Sequence, residues 1–491
     1  MRRFGLFGAV LLVLAVVYAV AWRTEPRNPQ AAAQPAPQMA AVTSVTRSCP
    51  PPAPNSGAAH IAMIALPSRP AATAAAKAGF TGTGSATLSP VSATPGGSAP
   101  QPVTVSAVNA LTTVTAPAAT GTSGQSGTAV AVSGQMAEGF EAEQADAAGM
   151  GVVSCTHPSS DMWFVGNGAG TGASGITLYL MNTGDLAASA NVSLLTDAGL
   201  QTGLTTGITV APHQVVTQRI ASFVQGSAAV ALHVQTSSGQ VAASVWESGG
   251  SGGAWLPQAA APATSLVIPG LTVASSAARL FVTVPGATDA KIKVVAFTAQ
   301  GKFTQFGQTP VDAPSSATSS FALSSLGASA AGLQLTSNVP IVAAVLVPGQ
   351  GMGSFTTAVP PITEQGVVAG NPATRGLTVG LVLTAPVGAA KANVSVIGAA
   401  GSGATAGGPQ VVTVQAGHTM AVAVPRPQNN RAPFAIVITP AAGSGPIYAA
   451  RVVTSGTGGL SAPIMSLLPV QNALTVISLP PVQNAYAAVL P

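Results

Sequence analysis

Few side chains in this sequence are equipped for chemistry. Twelve Asp and Glu and five His occur among 491 residues, and the one acidic cluster is Glu138, Glu141, Glu143 and Asp146. Carboxylates this close in sequence could hold a cation or act as an acid and base pair. In an extended segment Glu141 and Glu143 share one face, and the plainer expectation is a solvated strand end or loop ahead of Cys155. His213, after Val210-Ala211-Pro212, and His418, after Val414-Gln415-Ala416-Gly417, read as occupants of the same turn between strands. His233 shares a strand face with Ala231 and Gln235, opposite Val230, Leu232 and Val234, so it is expected to face solvent.

Two strings imitate catalytic motifs. Gly170-x-Gly172-x-x-Gly175 has dinucleotide-loop spacing, but a strand pattern follows it, whereas a pyrophosphate needs a helix N-terminus there. Gly249-Gly250-Ser251-Gly252-Gly253 has the nucleophile-elbow spacing without a helix behind it or evident Asp and His partners. No catalytic residue and no cofactor is assigned. Cys49 and Cys155, without neighbouring His, are too few for a structural zinc site, and no metal is assigned either. In an exported chain the two cysteines read as one disulfide. Trp246 ends its expected strand and Trp255 closely precedes Pro257, so both are expected to be accessible, where indoles can stack on sugars. Trp163, within Met162-Trp163-Phe164-Val165, is expected in a core.

The charge distribution narrows the partners. A pI of 9.6 suggests nucleic acid until the charges are located. Residues 1–27 hold four Arg against one Glu, which is +3 of the formal +5. The remainder is nearly neutral and has no basic stripe to meet phosphates, which excludes nucleic acid as the expected partner. Only 6% of the residues are charged, against about 25% in ordinary domains. Gly5 to Trp22 carries no charge and lies between Arg2-Arg3 and Arg23. It reads as a membrane anchor, with secretion as the alternative if Ala19-Val20-Ala21 is cleaved. The expected location is the cell membrane, single-pass, with everything downstream extracytoplasmic.

The elements that must position these residues are strands. Apolar residues alternate with small or polar ones in runs of five to eight, separated by Gly, Pro, Asn and Asp. Ala190-Asn191-Val192-Ser193-Leu194, Ala290-Lys291-Ile292-Lys293-Val294 and Ala392-Asn393-Val394-Ser395-Val396 recur about every hundred residues. The hairpins Ala229 to Trp246, Ala331 to Val347 and Phe434 to Val453 recur with them. The expected fold is all-β, with tandem immunoglobulin-like β-sandwich modules after one N-terminal transmembrane helix; a β-propeller with two blades per repeat is the alternative. The divisions are 1–27 as anchor or signal, 28–46 as a Pro/Ala-rich linker, and 47–157 as a degenerate module closed by the disulfide. Modules at 158–262, 263–362 and 363–491 follow, the last with a C-terminal strand.

The order Cys49-Pro50, Ala142-Glu143-Gln144, Cys155, Trp163-Phe164-Val165-Gly166 and Asn182-Thr183-Gly184-Asp185 resembles a family of actinobacterial secreted proteins of unknown function. Those proteins carry an N-terminal anchor, Ser-Cys-Pro and Trp-Phe-Val-Gly motifs, and repeated sandwich-like strands. The resemblance implies an envelope location and supplies no activity. The expected function is a non-catalytic envelope scaffold or interaction module, contacting other envelope proteins. One alternative is a module that binds cell-wall glycan through Trp246 or Trp255, and the other is an envelope enzyme using the acidic cluster.

Overall fold

The computed structural model describes residues 12–18, 38–54, 56–67, 84–93, 103–116, 126–146, 151–170, 175–201, 207–249, 252–272, 278–307, 310–323, 330–349, 351–402, 408–427, 432–456, 459 and 464–479. Residues 12–18 are helical and exposed; the rest of the hydrophobic segment 5–22, and residues 28–37 of the linker, lie outside the described residues. No helix among the described residues is long and apolar enough to cross a membrane. The chain is otherwise all-β, with strands in antiparallel sheets.

Strand β1 (Gln38–Ala41) precedes a first module of β2 (Ser44–Cys49), β3 (His60–Ile64), β4 (Ser85–Val91), β5 (Val103–Val105), β6 (Thr112–Thr115), β7 (Gly127–Ser133), β8 (Glu141–Ala145) and β9 (Val153–Ser154). They form two sheets, ordered β2-β7-β4-β5 and β6-β3-β8-β9. The second module contains β10 (Asp161–Asn167), β11 (Gly175–Met181), β12 (Ala188–Thr196), β13 (Gly199–Gln201), β14 (Ile208–Val210), β15 (Val215–Arg219), β16 (Ala229–Ser238), β17 (Ala242–Gly249) and β18 (Gly252–Leu256). Its sheets are β10-β16-β12-β13, with β14 also on β12, and β15-β11-β17-β18.

The third module runs through β19 (Ala263–Leu271), β20 (Arg279–Val284), β21 (Ala290–Thr298), β22 (Gly301–Gln305), β23 (Val311–Ala313), β24 (Ala317–Ala322), β25 (Ala331–Val347) and β26 (Ser354–Thr357). The long β25 serves both of its sheets, pairing β19 and β21 in its first half and β20 and β26 in its second. The fourth module contains β27 (Gly366–Asn371), β28 (Leu377–Ala385), β29 (Ala390–Gly398), β30 (Gln410–Val414), β31 (His418–Ala423), β32 (Phe434–Pro440), β33 (Tyr448–Ser455) and β34 (Ile464–Pro469). Its sheets are β27-β32-β29-β30 and β31-β28-β33-β34, and β35 (Gln471–Asn472) adds to the edge of β27. Finally, β36 (Val476–Leu479) pairs with β1.

One strand order therefore occurs four times. The first strand lies beside the sixth in the first and fourth modules and beside the seventh in the second and third; that strand in turn lies beside the third, and the opposing sheet is built around the second strand and either the strand that follows or, in the third module, the second half of β25. The paired strands at the centre of each sheet are not consecutive in sequence, unlike the meander of a propeller blade. The repeated sequence explains its strand: in β21 and β29 the burial alternates residue by residue, with Ala290, Ile292 and Val294 inward and Lys291 and Lys293 outward, the period of a strand with one covered face.

Each module encloses its own apolar core, including Ile61, Met63 and Leu88 in the first, Leu178, Leu194 and Leu232 in the second, Leu280, Val294 and Leu333 in the third, and Leu381, Val394 and Ile436 in the fourth. Four further seams join the modules. Ala53, Val91 and Val153 of the first pack on Tyr179, Met181 and Val215 of the second. Phe281, Val342 and Phe355 of the third join the core cluster of the second. Val382, Val452 and Leu467 of the fourth join that of the third. Ala62, Ile64 and Leu111 of the first pack on Val367, Ala369 and Val437 of the fourth. The modules are thus a closed cycle in which the last returns to the first, within one compact unit spanning Ala41–Thr475. The pairing of β1 with β36 belongs to a second unit.

Cys49 and Cys155 are disulfide-bonded across 106 residues of sequence. The bond ties the end of β2 to the segment leaving β9, where Ser48 and Thr156 exchange backbone hydrogen bonds of 2.7 and 3.0 Å. Reduction, or the double substitution Cys49→Ser and Cys155→Ser, is expected to cost about 2 to 5 kcal/mol. Urea unfolding with and without reductant measures this, and coincident midpoints would contradict it.

Candidate functional site

The acidic cluster begins on β8, whose residues alternate between two faces. Ala142 and Gln144 stand beside Met63 and Ile61 on the core side, and Glu141 and Glu143 beside Ile64 and Ala62 on the outer side. The fourth module covers that outer side. Glu141 and Glu143 are consequently 2% and 1% exposed, and the solvated strand end expected from the sequence is not what forms.

Glu143 is held by backbone. The β27 to β32 ladder is interrupted between Val368 and Asn371, which frees two consecutive N–H groups. Ala369 N–H donates to Glu143 Oε1 and Gly370 N–H to Oε2, each at 2.9 Å. A Cβ at Gly370 would lie 3.3 Å from Oε2, so a glycine lets the carboxylate approach this close. Arg451, on β33, is fully buried; its Nη2 donates to Ser466 Oγ at 3.0 Å, while Nε and Nη1 have no hydrogen-bond partner among the described residues. Burial pushes Glu143 up to about 7, against the pull of Arg451 and the two N–H groups and with a push from Glu141. Burial likewise lowers Arg451 to about 10, and Glu143 opposes that shift. Arg47 Nη2 meets Glu141 Oε2 at 3.3 Å. Burial raises Glu141, and Arg47 counters it. Asp146, the last member of the cluster, accepts from Gly151 N–H at 3.0 Å.

A further buried carboxylate, away from the acidic cluster, was not anticipated from the sequence. Val245 and Glu247 lie on the inward face of β17, so Glu247 enters the core of the second module, where it is 0% exposed. Asn167 Nδ2 donates to Oε1 at 2.6 Å and Asn167 N–H to Oε2 at 3.3 Å. A Cβ at Gly166 would stand 2.7 Å from Oε2. The Gly-Asn that closes Trp163-Phe164-Val165-Gly166-Asn167 is therefore shaped around this carboxyl. No cation pairs with Glu247 among the described residues, and burial pushes it up to about 8 against the Asn167 hydrogen bonds. The inward alternation of Val245 and Glu247 was the available signal for it; for Arg451 the signal was a lone cation in an otherwise apolar strand.

The expectation of accessible Trp246 and Trp255 is corrected. Both are 8% exposed. They oppose each other across β17 and β18, ring centroids 5.0 Å apart, with Tyr179 beside Trp255. They do project outward from their sheet, but the first module caps that face with Ala53, Val91 and Val153. Trp163 is buried as expected, and His233 lies flat on it at 3.8 Å with Nε2 3.1 Å from Asp161 Oδ1. His233 is thus partly covered, and burial lowers its pKa against the opposing effect of Asp161.

The histidine turn also shifts by one residue. Thr283–Thr318 and Thr384–Thr419 are equivalent hydroxyl pairs, at 3.0 and 2.9 Å. That register aligns His213 with Ser316 and Gly417, all three at positive φ, while His418 opens the next strand. His213 is therefore a left-handed turn residue, with Nε2 3.0 Å from the exposed Asp185.

These arrangements hold together strands within a module or fasten one module to another, and no group of three or more His, Cys, Asp or Glu stands ready for a metal among the described residues. Two outcomes follow. A carboxyl whose folded pKa exceeds its unfolded value of 4.5 destabilises the fold as pH rises from there to the folded value, by about 1.4 kcal/mol per unit. Glu143 contributes up to about 7 and Glu247 up to about 8. Glu247→Gln is expected to flatten the stability profile between pH 7 and 8, checked by urea midpoints; an unchanged slope would contradict the assignment. Trp246→Ala is expected to cost about 3 to 5 kcal/mol as a buried truncation, read by the same unfolding assay.

No curated protein and no solved structure matches this chain. A family profile does, over residues 103–425, from β5 in the first module to just past β31 in the fourth. The match takes in Glu141, Glu143, Cys155, Asn167 and Glu247, while Arg47, Cys49 and Arg451 lie outside it. Because the match covers about two thirds of the sequence, the chain belongs to the family of unknown function DUF5719.

Proposed function

We propose that this protein is a non-catalytic, extracytoplasmic component of the cell envelope that acts as a scaffold or interaction module. In this reading four immunoglobulin-like sandwich modules follow one hydrophobic segment, residues 5–22, that anchors them in the membrane or directs their secretion. The carrying observation is where the chemically capable residues go. Glu141, Glu143 and Glu247 are all buried and hydrogen-bonded within or between modules, which suits carboxylates that hold a body together better than carboxylates that turn over a substrate. A disulfide and a surface covered largely by uncharged residues favour the envelope over the cytosol. The burial of Trp246 and Trp255 against the first module favours this reading over the glycan-binding alternative.

Crosslinking in intact cells, followed by fractionation, tests this reading. The expected result is a protein that sediments with membranes, is cleaved by protease added from outside, and carries crosslinks to other envelope proteins. Recovery in the cytosol, protected from protease until cells are lysed, would contradict it.

A further inference from the structure

We propose that the seam between the first and fourth modules is a proton-responsive latch, fastened while the Glu143 side chain is neutral and loosened when it ionises. This inference concerns the folded body alone and stands apart from the envelope reading.

The geometry points to Glu143 for three reasons. Its carboxyl crosses this seam, reaching from β8 of the first module to two N–H groups on β27 of the fourth. It is sealed from water. No cation stands within ion-pair distance of it among the described residues. As a neutral carboxylic acid it keeps one strong acceptor, its carbonyl oxygen, for one N–H group and accepts only weakly from the other through its hydroxyl oxygen, while leaving little charge in an apolar seam. As a carboxylate it must keep a full charge there, and opening the seam returns that charge to water.

The charged surroundings do not remove this penalty. On β8 itself stands Glu141, whose like charge disfavours ionisation of Glu143 and which is engaged by Arg47 from β2. Arg451 on β33 favours ionisation without touching the carboxylate. His60 lies at the far end of β3, paired with Ala145; Glu138 precedes β8; β9 and β27 carry no titratable side chain. The balance leaves Glu143 titrating near neutrality in the closed seam and in the ordinary carboxylate range once open. The sign is therefore fixed: the seam is tightest in acid and weakens as pH rises toward 7. Loosening would uncover the apolar faces that meet there, Ala62 and Ile64 on one side and Val367 and Val437 on the other.

Native-state hydrogen exchange by mass spectrometry tests the latch on the full chain, following the β27 peptide between pH 5 and pH 8 and correcting for intrinsic exchange rates. Protection of Ala369 and Gly370 is expected to fall by roughly seventyfold across that range. Their opening should depend on urea only weakly, less than that of β21 in the third module, because a seam exposes less surface than global unfolding. Glu143→Gln should remove the pH dependence. Protection that is independent of pH in the wild type, or an opening that follows urea as steeply as β21, would overturn the proposal; so would an unchanged pH dependence in Glu143→Gln. Should that variant fail to fold, 13C titration of the sequence-assigned Glu143 carboxyl decides. One midpoint between pH 6 and 8 supports the latch, and none above 5.5 overturns it.

Discussion

With 6% of its residues charged, this chain cannot present every sheet face to water. Each module buries one face of each sheet in its own core, but apolar side chains remain on the outer faces: Tyr179, Trp246 and Trp255 on the second module, Phe281 and Phe355 on the third, Val382 and Val452 on the fourth, Ala62 and Ile64 on the first. The hydrophobic effect, at about 25 cal/mol per Å² of apolar surface, drives those faces onto neighbours. Three seams between consecutive modules would leave the first and fourth each with an uncovered face. Joining them disposes of both, and the result is a cycle.

Apolar matching alone would not say which module meets which, because the repeats are alike. The polar groups at the seams limit the choice. A carboxylate such as Glu143 seats only where backbone N–H groups are free, and the interruption of the β27 ladder supplies two of them. Thr318 Oγ1 donates to Leu195 O at 2.8 Å across the seam between the second and third modules, another fit that an apolar side chain could not make. Buried charge is a poor source of stability, and both Glu143 and Glu247 weaken the fold as they ionise. Their worth lies in specifying one arrangement among several that would bury similar area.

Much of the fold was legible in the sequence. Alternation in Ala290–Thr298 and Ala390–Gly398 marked strands with one covered face, the recurrence near a hundred residues marked the modules, and two lone cysteines marked the disulfide. The candidate residues were less legible, for one physical reason. Alternation says which way a side chain points relative to its own sheet, and nothing about whether another module lies over that face. Glu141, Glu143, Trp246 and Trp255 all point outward, as the pattern implies, and all are buried under a neighbouring module. Glu247 and Arg451 were overlooked for the converse reason: each points inward by parity, but a charged residue reads as solvated unless parity is trusted over residue type. The histidine turn slipped by one residue because the left-handed position is filled by His, Ser or Gly in different repeats, and residue identity is a poor guide to it.

Residues 41–475 are one closed body instead of a string of independent modules. Urea unfolding followed by pulsed hydrogen exchange, with peptides reporting separately on each of the four modules, tests it most directly. A closed body predicts one transition, with all four modules losing protection at the same urea concentration. Separate transitions, with the first or fourth module melting while its neighbours stay protected, would contradict it.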